Sequence, residues 1–256
     1  MKKKVLYKLP RNLVDEKSKK IVRKIKFEKI VVSEEKDFHS KDGTIKKETL
    51  NSNGKFNVGK ENYVSHDATD IDFYKQIKRK AQIITLKDIG PIIAYTGLNK
   101  NSVVMDAGVG SGSISCFLGK IVKIVEAFDV NEENIAVSKE NVELLELNNV
   151  IIEKKDVYDS KLFKEAYYDT FVLDVPEPVR ALNTAYRVLK VGGFLVVYAP
   201  NINQIHETVN ALPENMLLEK TIEIIEREWS VKEKVLRPVT KDFGHTAFLC
   251  FIRKIY

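Results

Sequence analysis

From about residue 81 the chain alternates two hydrophobic periods. Short apolar runs (SVVMDAG, IVEAFDV, VIIEKKD, YDTFVLDV and FLVVYAP) read as five successive strands. Between them, residues 113–121, 131–147, 181–189 and 202–212 carry helical patterns. The second of these shows apolar Ile135, Val142 and Leu145, and the third runs out toward Gly192-Gly193. An earlier helix opens at Lys87-Asp88-Ile89-Gly90-Pro91, with Asp88 read as its N-cap. Two late strands are expected near 217–227 and 246–253. Strands alternating with helices predict an α/β domain, a mainly parallel sheet covered on both faces.

Residues 1–65 have a different rhythm. The runs IVRKIKFEKIVVS and TIKKETL are broken by the turn signals KDG and NSNG, which predicts a small β-rich domain. DATDIDFYKQIKRKAQII reads as a linker with a short helix. The expected organisation is therefore a β-rich domain over 1–65, a linker over 66–80 and the α/β domain over 81–256. The chain shows no internal repeat and no low-complexity tract.

Composition narrows the class. With 44% hydrophobic and 30% charged residues the chain is of ordinary globular make-up. No stretch approaches the roughly 18 apolar residues of a membrane span. The start, MKKKVLYKLPRNLVDEKSKK, lacks the apolar core of a signal peptide, so a cytoplasmic protein is expected. Cys116 and Cys250 lie far apart in apolar runs and read as buried small hydrophobes. His39, His66, His206 and His245 are scattered, which gives no metal-ligand spacing and no expected metal. The net charge of +6 is uneven: residues 1–65 hold 18 Lys+Arg against 9 Asp+Glu, and the remainder 24 against 27. A basic segment beside a mildly acidic body points to a polyanionic partner, or to a solvated lysine-rich surface.

The most informative motif is Val104-Met105-Asp106-Ala107-Gly108-Val109-Gly110-Ser111-Gly112-Ser113, a buried strand running into a glycine-rich turn and then a helix. Glycines let backbone pass close to a ligand. A nicotinamide-binding turn looks similar. Asp106 just before the glycines disfavours a pyrophosphate and favours a cationic aminoacyl sulfonium. Asp129 ends the next strand, where it can take two ribose hydroxyls, and Asp156 ends the third, where it can accept from an adenine amino group. Three acids at the carboxyl ends of successive strands form a ligand crevice. This arrangement resembles the class I (Rossmann-like) methyltransferase fold, which implies S-adenosyl-L-methionine as cofactor and S-adenosyl-L-homocysteine as product.

Strand four ends Leu173-Asp174-Val175-Pro176-Glu177-Pro178, where two prolines stiffen the backbone. Asp174 at the strand tip reads as the catalytic residue, or as a cap in a stiff loop. A ring nitrogen of adenine attacks a methyl group through its lone pair, and positive charge then spreads over the ring. A fixed carboxylate beside the amino group stabilises that charge without becoming a nucleophile. The base must be extruded from its stack to reach such a pocket.

Four segments then resemble, in order, the archaeal and bacterial tRNA (adenine-N1)-methyltransferases, which modify the T-loop at tRNA position 58 and in some archaea also 57. Lys78-Arg79-Lys80-Ala81-Gln82-Ile83-Ile84 with Lys87-Asp88 resembles their Arg-x-x-Gln-Ile-Ile-Tyr-Pro-Lys-Asp. Asp106 to Gly112 is similar to their cofactor loop, and Asp174 to Pro178 to their Asp-x-Pro-x-Pro-Trp. Arg237-Pro238 and Gly244-His245-Thr246-Ala247-Phe248-Leu249 resemble their Arg-Pro and Gly-His-Thr-Gly-Phe-Leu. Asn201-Ile202-Asn203-Gln204 fits the helix start after strand five. The likeness covers roughly residues 70–254.

It implies cofactor contacts at Gln82, Asp106, Gly108, Gly110, Ser111, Gly112, Ser113, Asp129, Val130, Asp156, Val157 and Asp174. It implies substrate contacts at Pro176, Glu177, Pro178, Arg237, His245 and Thr246, a tRNA partner and a homotetramer. The chain departs from the pattern at Thr85-Leu86 for Tyr-Pro, Val179 for Trp, Lys241-Asp242 for Arg-Met and Ala247 for Gly. Those changes predict a roomier, less aromatic base pocket. Tyr95, Phe73 and Tyr74 are candidates for base stacking or for core packing. Two other readings stay open at this level: a non-catalytic tRNA-binding subunit, and a methyltransferase for a protein or small molecule.

Overall fold

The computed structural model describes residues 3–14, 21–25, 28–80, 82–232, 235–240 and 244–256. The chain forms two compact units, Met1–Gln76 and Ile77–Tyr256. The segment 66–80, read as a linker, falls on both sides of that division.

The first unit contains β1 (Lys3–Lys8), β2 (Arg11–Val14), β3 (Ile21–Ile25), β4 (Glu28–Ser33), β5 (Phe38–Ser40), β6 (Gly43–Ile45), α1 (Lys47–Asn51), β7 (Gly54–Val58), β8 (Glu61–Asp67) and α2 (Asp70–Tyr74). Its main sheet is antiparallel, in the order β4-β1-β8-β7, with β2–β3 and β5–β6 as separate hairpins. Leu6, Val32, Ile45, Leu50, Val58 and Tyr63 form its core. TIKKETL is not one strand. It splits into the end of β6 and helix α1, because a turn between them brings both Ile45 and Leu50 into that core.

The second unit contains α3 (Leu86–Thr96), β9 (Val103–Ala107), α4 (Ser113–Leu118), β10 (Ile124–Asp129), α5 (Glu132–Leu144), β11 (Val150–Lys154), β12 (Tyr168–Leu173), α6 (Leu182–Val188), β13 (Leu189–Ala199), α7 (Ile202–Asn210), β14 (Met216–Glu223), β15 (Trp229–Lys232), β16 (Val235–Pro238) and β17 (Phe248–Lys254). Seven strands make one sheet in the order β11-β10-β9-β12-β13-β17-β14. β9 to β13 pair in parallel, and β17 runs antiparallel between β13 and β14. All five residues of β9 are buried, as a strand covered on both faces requires. The strand order reverses direction between β9 and β12, and a crevice opens beyond the carboxyl ends at that switch point.

Three local expectations are corrected. Asp88 is not the N-cap of α3: Thr85, in extended conformation, precedes the helix, and its hydroxyl donates to Asp88 Oδ2 at 2.9 Å. The helix expected over 113–121 ends at Leu118, and the residues read as a strand to Arg227 end at Glu223. Beyond them lies an unforeseen hairpin, β15–β16. Helix α5 starts as its sequence suggests, with the Asn131 side chain accepting from Glu133 N and Asn134 N. Cys116 and Cys250 are buried.

Candidate active site

Two loops meet at the switch point. Asp174 N donates to Ala107 O at 2.9 Å, so the chain leaving β12 lies alongside the chain leaving β9. Gly108 sits there at φ +85°, and a Cβ at this position would stand 1.8 Å from Asp174 O. Only glycine allows that approach. Gly110 N donates to Asp129 Oδ2 at 3.1 Å, which ties the glycine loop to the end of β10. Asp129 also accepts from Asn131 N at 2.8 Å and Asn134 Nδ2 at 3.1 Å, so its carboxylate is held rigidly.

Around these loops lies a cavity of about 660 Å³, within the range of small-molecule sites. Gln82, Gly108, Gly110, Asp129, Val130, Asp156, Val157, Asp174, Pro176, Glu177 and Thr246 border it, so most of the sequence-derived residues converge. The others do not border it. Ser111 Oγ accepts from Lys80 N at 2.9 Å, Ser113 Oγ donates to Ile84 O at 2.9 Å, and Gly112 packs close to Ser138. These three brace the glycine loop from behind.

Asp106 is 1% exposed, and its carboxylate bonds to Ser115 Oγ on α4. It does not border the cavity. Pro178 borders an adjoining surface groove with Val179, and Arg237 is exposed and donates to Thr240 Oγ1 at 2.8 Å.

His245 is engaged within the protein. Nδ1 lies 2.6 Å from Glu223 Oε1 and Nε2 lies 2.8 Å from Pro200 O. Both partners are acceptors, so both ring nitrogens serve as donors, and these bonds raise the His245 pKa above its ordinary value. The residue clamps a wall of the cavity, since Pro200 borders it.

Of the departures from the family pattern, Thr85 bonds to Asp88, and Ala247 is buried at 1% exposure. Thr85, Val179 and Ala247 do not border the cavity, and Lys241-Asp242 lie outside the described residues. Tyr95 packs edge-on against Phe251, Tyr74 is buried, and neither borders the cavity. Sequence reasoning missed Tyr198, Asn134, Lys155, Tyr158 and Gln204, which all border the cavity. Tyr198 had a legible signal: it lies at the carboxyl end of a fifth strand, the same rule that picked out Asp129 and Asp174.

The electrostatics favour a cation. The carboxylate of Asp174 has no hydrogen bond or ion pair among the described residues. Burial, with Asp129 nearby, pushes its pKa up to about 7. Burial likewise pushes Asp106 to about 7, with Asp174 and Asp129 adding to the effect. Clustered carboxylates with raised pKa values mark a site built for a positively charged ligand.

Residues 72–243 match the model of the family described as "tRNA methyltransferase complex GCD14 subunit". The tRNA (adenine(58)-N(1))-methyltransferase TrmI of Thermus thermophilus is 33% identical over 227 residues, covering 85% of this chain and 88% of that protein. The chain belongs to the tRNA (adenine-N1)-methyltransferase family. As a member of the tRNA (adenine-N1)-methyltransferases it is an S-adenosylmethionine-dependent enzyme on a class I methyltransferase fold.

Within that family, the tRNA (adenine(57)-N(1)/adenine(58)-N(1))-methyltransferase TrmI of Methanocaldococcus jannaschii is 32% identical over 217 residues, 73% of this chain and 77% of that protein. The crystal structure of the tRNA (m1A58) methyltransferase TrmI from Aquifex aeolicus has the same fold, with a TM-score of 0.76 at 24% identity over 99% of this chain and 97% of that one. A SAM-dependent O-methyltransferase of Thermotoga maritima is equally similar in fold, with a TM-score of 0.77 at 24% identity over 99% and 93%. No helix among the described residues is long and apolar enough to cross a membrane, and no metal-ligating cluster is found among them.

Proposed function

We propose that the protein transfers a methyl group from S-adenosylmethionine to N1 of an adenosine in the tRNA T-loop, at position 58 and, as in the Methanocaldococcus relative, at 57. The observation that carries this reading is the unpaired, half-buried carboxylate of Asp174 beside the glycine loop. The residues present fit the cofactor: Gly108 and Gly110 offer backbone, Asp129 a rigid acceptor for ribose hydroxyls, Asp156 an exposed acceptor, and Val130 and Val157 apolar contact. When bound, the cofactor supplies an electrophilic methyl group on a cationic sulfur.

The chain's part is positioning and charge. N1 attacks through its lone pair, so no side chain has to remove a proton. N1 would take the methyl group, with the bonding electron pair left on the cofactor's sulfur. Asp174 accepts from the adenine amino group and stabilises the cation that develops on the ring. Tyr198 and Thr246 complete the polar wall. The Pro176-Glu177 segment fixes the loop after Asp174, because Gln204 Nε2 donates to Pro176 O at 2.8 Å. Nucleoside mass spectrometry of unmodified tRNA treated with enzyme and cofactor tests the reading. 1-Methyladenosine is expected, and methylation only of guanosine, cytidine or uridine defeats it.

The first unit, basic in sequence, is proposed to hold the tRNA backbone. With tRNA as substrate, the enzyme works in the cytoplasm. Self-association into a homotetramer is supported by the hairpin β15–β16, whose Trp229, Val231 and Leu236 are each more than half exposed.

A further inference from the structure

Behind the cavity wall lies an ion pair with its own hydroxyl shell. Lys87 Nζ bonds to Asp88 Oδ1 at 2.8 Å, Ile224 O at 2.8 Å and Thr246 Oγ1 at 2.6 Å. Asp88 is fully buried, and its Oδ2 receives Thr85 Oγ1 at 2.9 Å, Thr246 Oγ1 at 2.8 Å and Tyr198 OH at 3.4 Å. Thr246 and Tyr198 border the cavity, while Lys87 and Asp88 do not.

The chemistry of these partners fixes the direction of the Thr85 and Thr246 hydroxyls, while Tyr198 reaches Asp88 at a longer 3.4 Å and also contacts Thr246. Lys87 can only donate and the Asp88 carboxylate can only accept. Thr246 therefore sends its single proton to Asp88 and takes a hydrogen bond from Lys87. One lone pair of its oxygen remains for the cavity. Tyr198 OH donates to Asp88 over that longer distance. Together with Asp174, Thr246 and Tyr198 thus present acceptor oxygens on the cavity wall.

We propose that Asp88 is a specificity-determining positioning residue: by taking the protons of Thr246 and Tyr198 it leaves an acceptor-lined wall that admits a base edge bearing an amino group and rejects one bearing a carbonyl. Adenine presents a donating amino group next to N1. Guanine and uracil present carbonyl oxygens at the corresponding place, and these would meet oxygen lone pairs with no proton between them. A site built to pair a donor discriminates strongly against ligands lacking it, because its own buried groups are left unpaired. The inference rests on the adenosine substrate proposed above.

The test uses full-length enzyme and two tRNA substrates, one with adenosine at the target and one with purine ribonucleoside, which lacks only the amino group. The ratio of kcat/KM for the two is measured for wild type, Asp88→Asn and Thr246→Val. The difference in N1 nucleophilicity is the same for every variant and cancels between ratios. Asp88→Asn keeps the shape but supplies N–H, which turns the Thr246 proton toward the cavity. Thr246→Val removes one acceptor at nearly constant volume, and it keeps the test decisive if Asp88→Asn does not fold. Each variant is expected to lower the adenosine preference about tenfold, the worth of one hydrogen bond, with cofactor affinity unchanged by calorimetry.

A purely structural role would slow both substrates alike. A ratio within about twofold of wild type, in folded variants that still make 1-methyladenosine, overturns the inference and leaves the substrate reading intact. A wild-type enzyme that methylates neither RNA overturns both.

Discussion

At the scale of single residues, Asp174 carries a stability cost that catalysis explains. Its unfolded-state pKa lies near the ordinary value of 3.8 and its folded pKa near 7. Between those values the folded chain holds a proton that the unfolded chain has released, so stability falls as pH rises from about 4 to 7 and stays low above. Asp174→Asn is expected to stabilise the cofactor-free protein at pH 8 by up to about 4 kcal/mol. Its advantage should vanish at pH 3, and denaturant melts across that range check it. The same residue in Asp174→Ala should lose about 10²–10³ in kcat; a mutant within about threefold of wild type removes Asp174 from the chemistry.

Gly108→Ala is expected to weaken cofactor binding by about tenfold or more, the worth of one displaced hydrogen bond, since its Cβ would drive the Asp174 backbone away. Calorimetry showing unchanged affinity would sink that account. Both residues were legible as residue types in a pattern. Asp106 was legible only as a motif position: its side chain points at Ser115, and which face of a strand an aspartate takes is set by the helix packed there, not by the glycines that follow.

At the scale of elements, the parallel strands were readable because both faces of β9, β10 and β12 are covered, leaving unbroken apolar runs. The hairpin β15–β16 was not, since its apolar residues lie exposed and follow no burial period. Helix α5 holds an anchor that no pattern discloses. Asn141, fully buried, accepts from Lys78 N at 2.7 Å and donates to Lys78 O at 2.9 Å and Ser111 O at 2.8 Å. It reads like any helical asparagine, yet it joins the helix to the segment before α3 and to the glycine loop. Asn141→Ala strands those backbone groups without partners, at about 1–3 kcal/mol each when buried. Thermal melts should fall by several degrees, and cofactor affinity should drop with them because Ser111 loses its anchor. An unchanged melting temperature would mean that water replaces the amide without loss.

At the scale of the whole molecule, charge and topology divide the labour. Residues 1–65 carry a net +9 in a chain of net +6. Lys36, Lys47 and Lys55 of the first unit are exposed. Changing all three to Gln should weaken tRNA binding and flatten its salt dependence by about one slope unit for each phosphate no longer neutralised, with cofactor binding untouched. Binding curves that superimpose at every salt concentration would make these lysines a solvated surface.

The place of β17 inside the sheet also sets an order of assembly. A ribosome delivers the glycine loop, the carboxylates after β9, β10 and β12, and even the edge strand β14 before it delivers Phe248–Lys254. Until then β13 and β14 have no strand between them, and Thr246, which the approach to β17 carries to the cavity, is not yet in place. A nascent chain therefore holds its cofactor residues and most of the base-facing wall before Thr246 completes it. An interrupted translation product is left with an open sheet, a target for degradation and not a half-selective enzyme loose among the tRNAs.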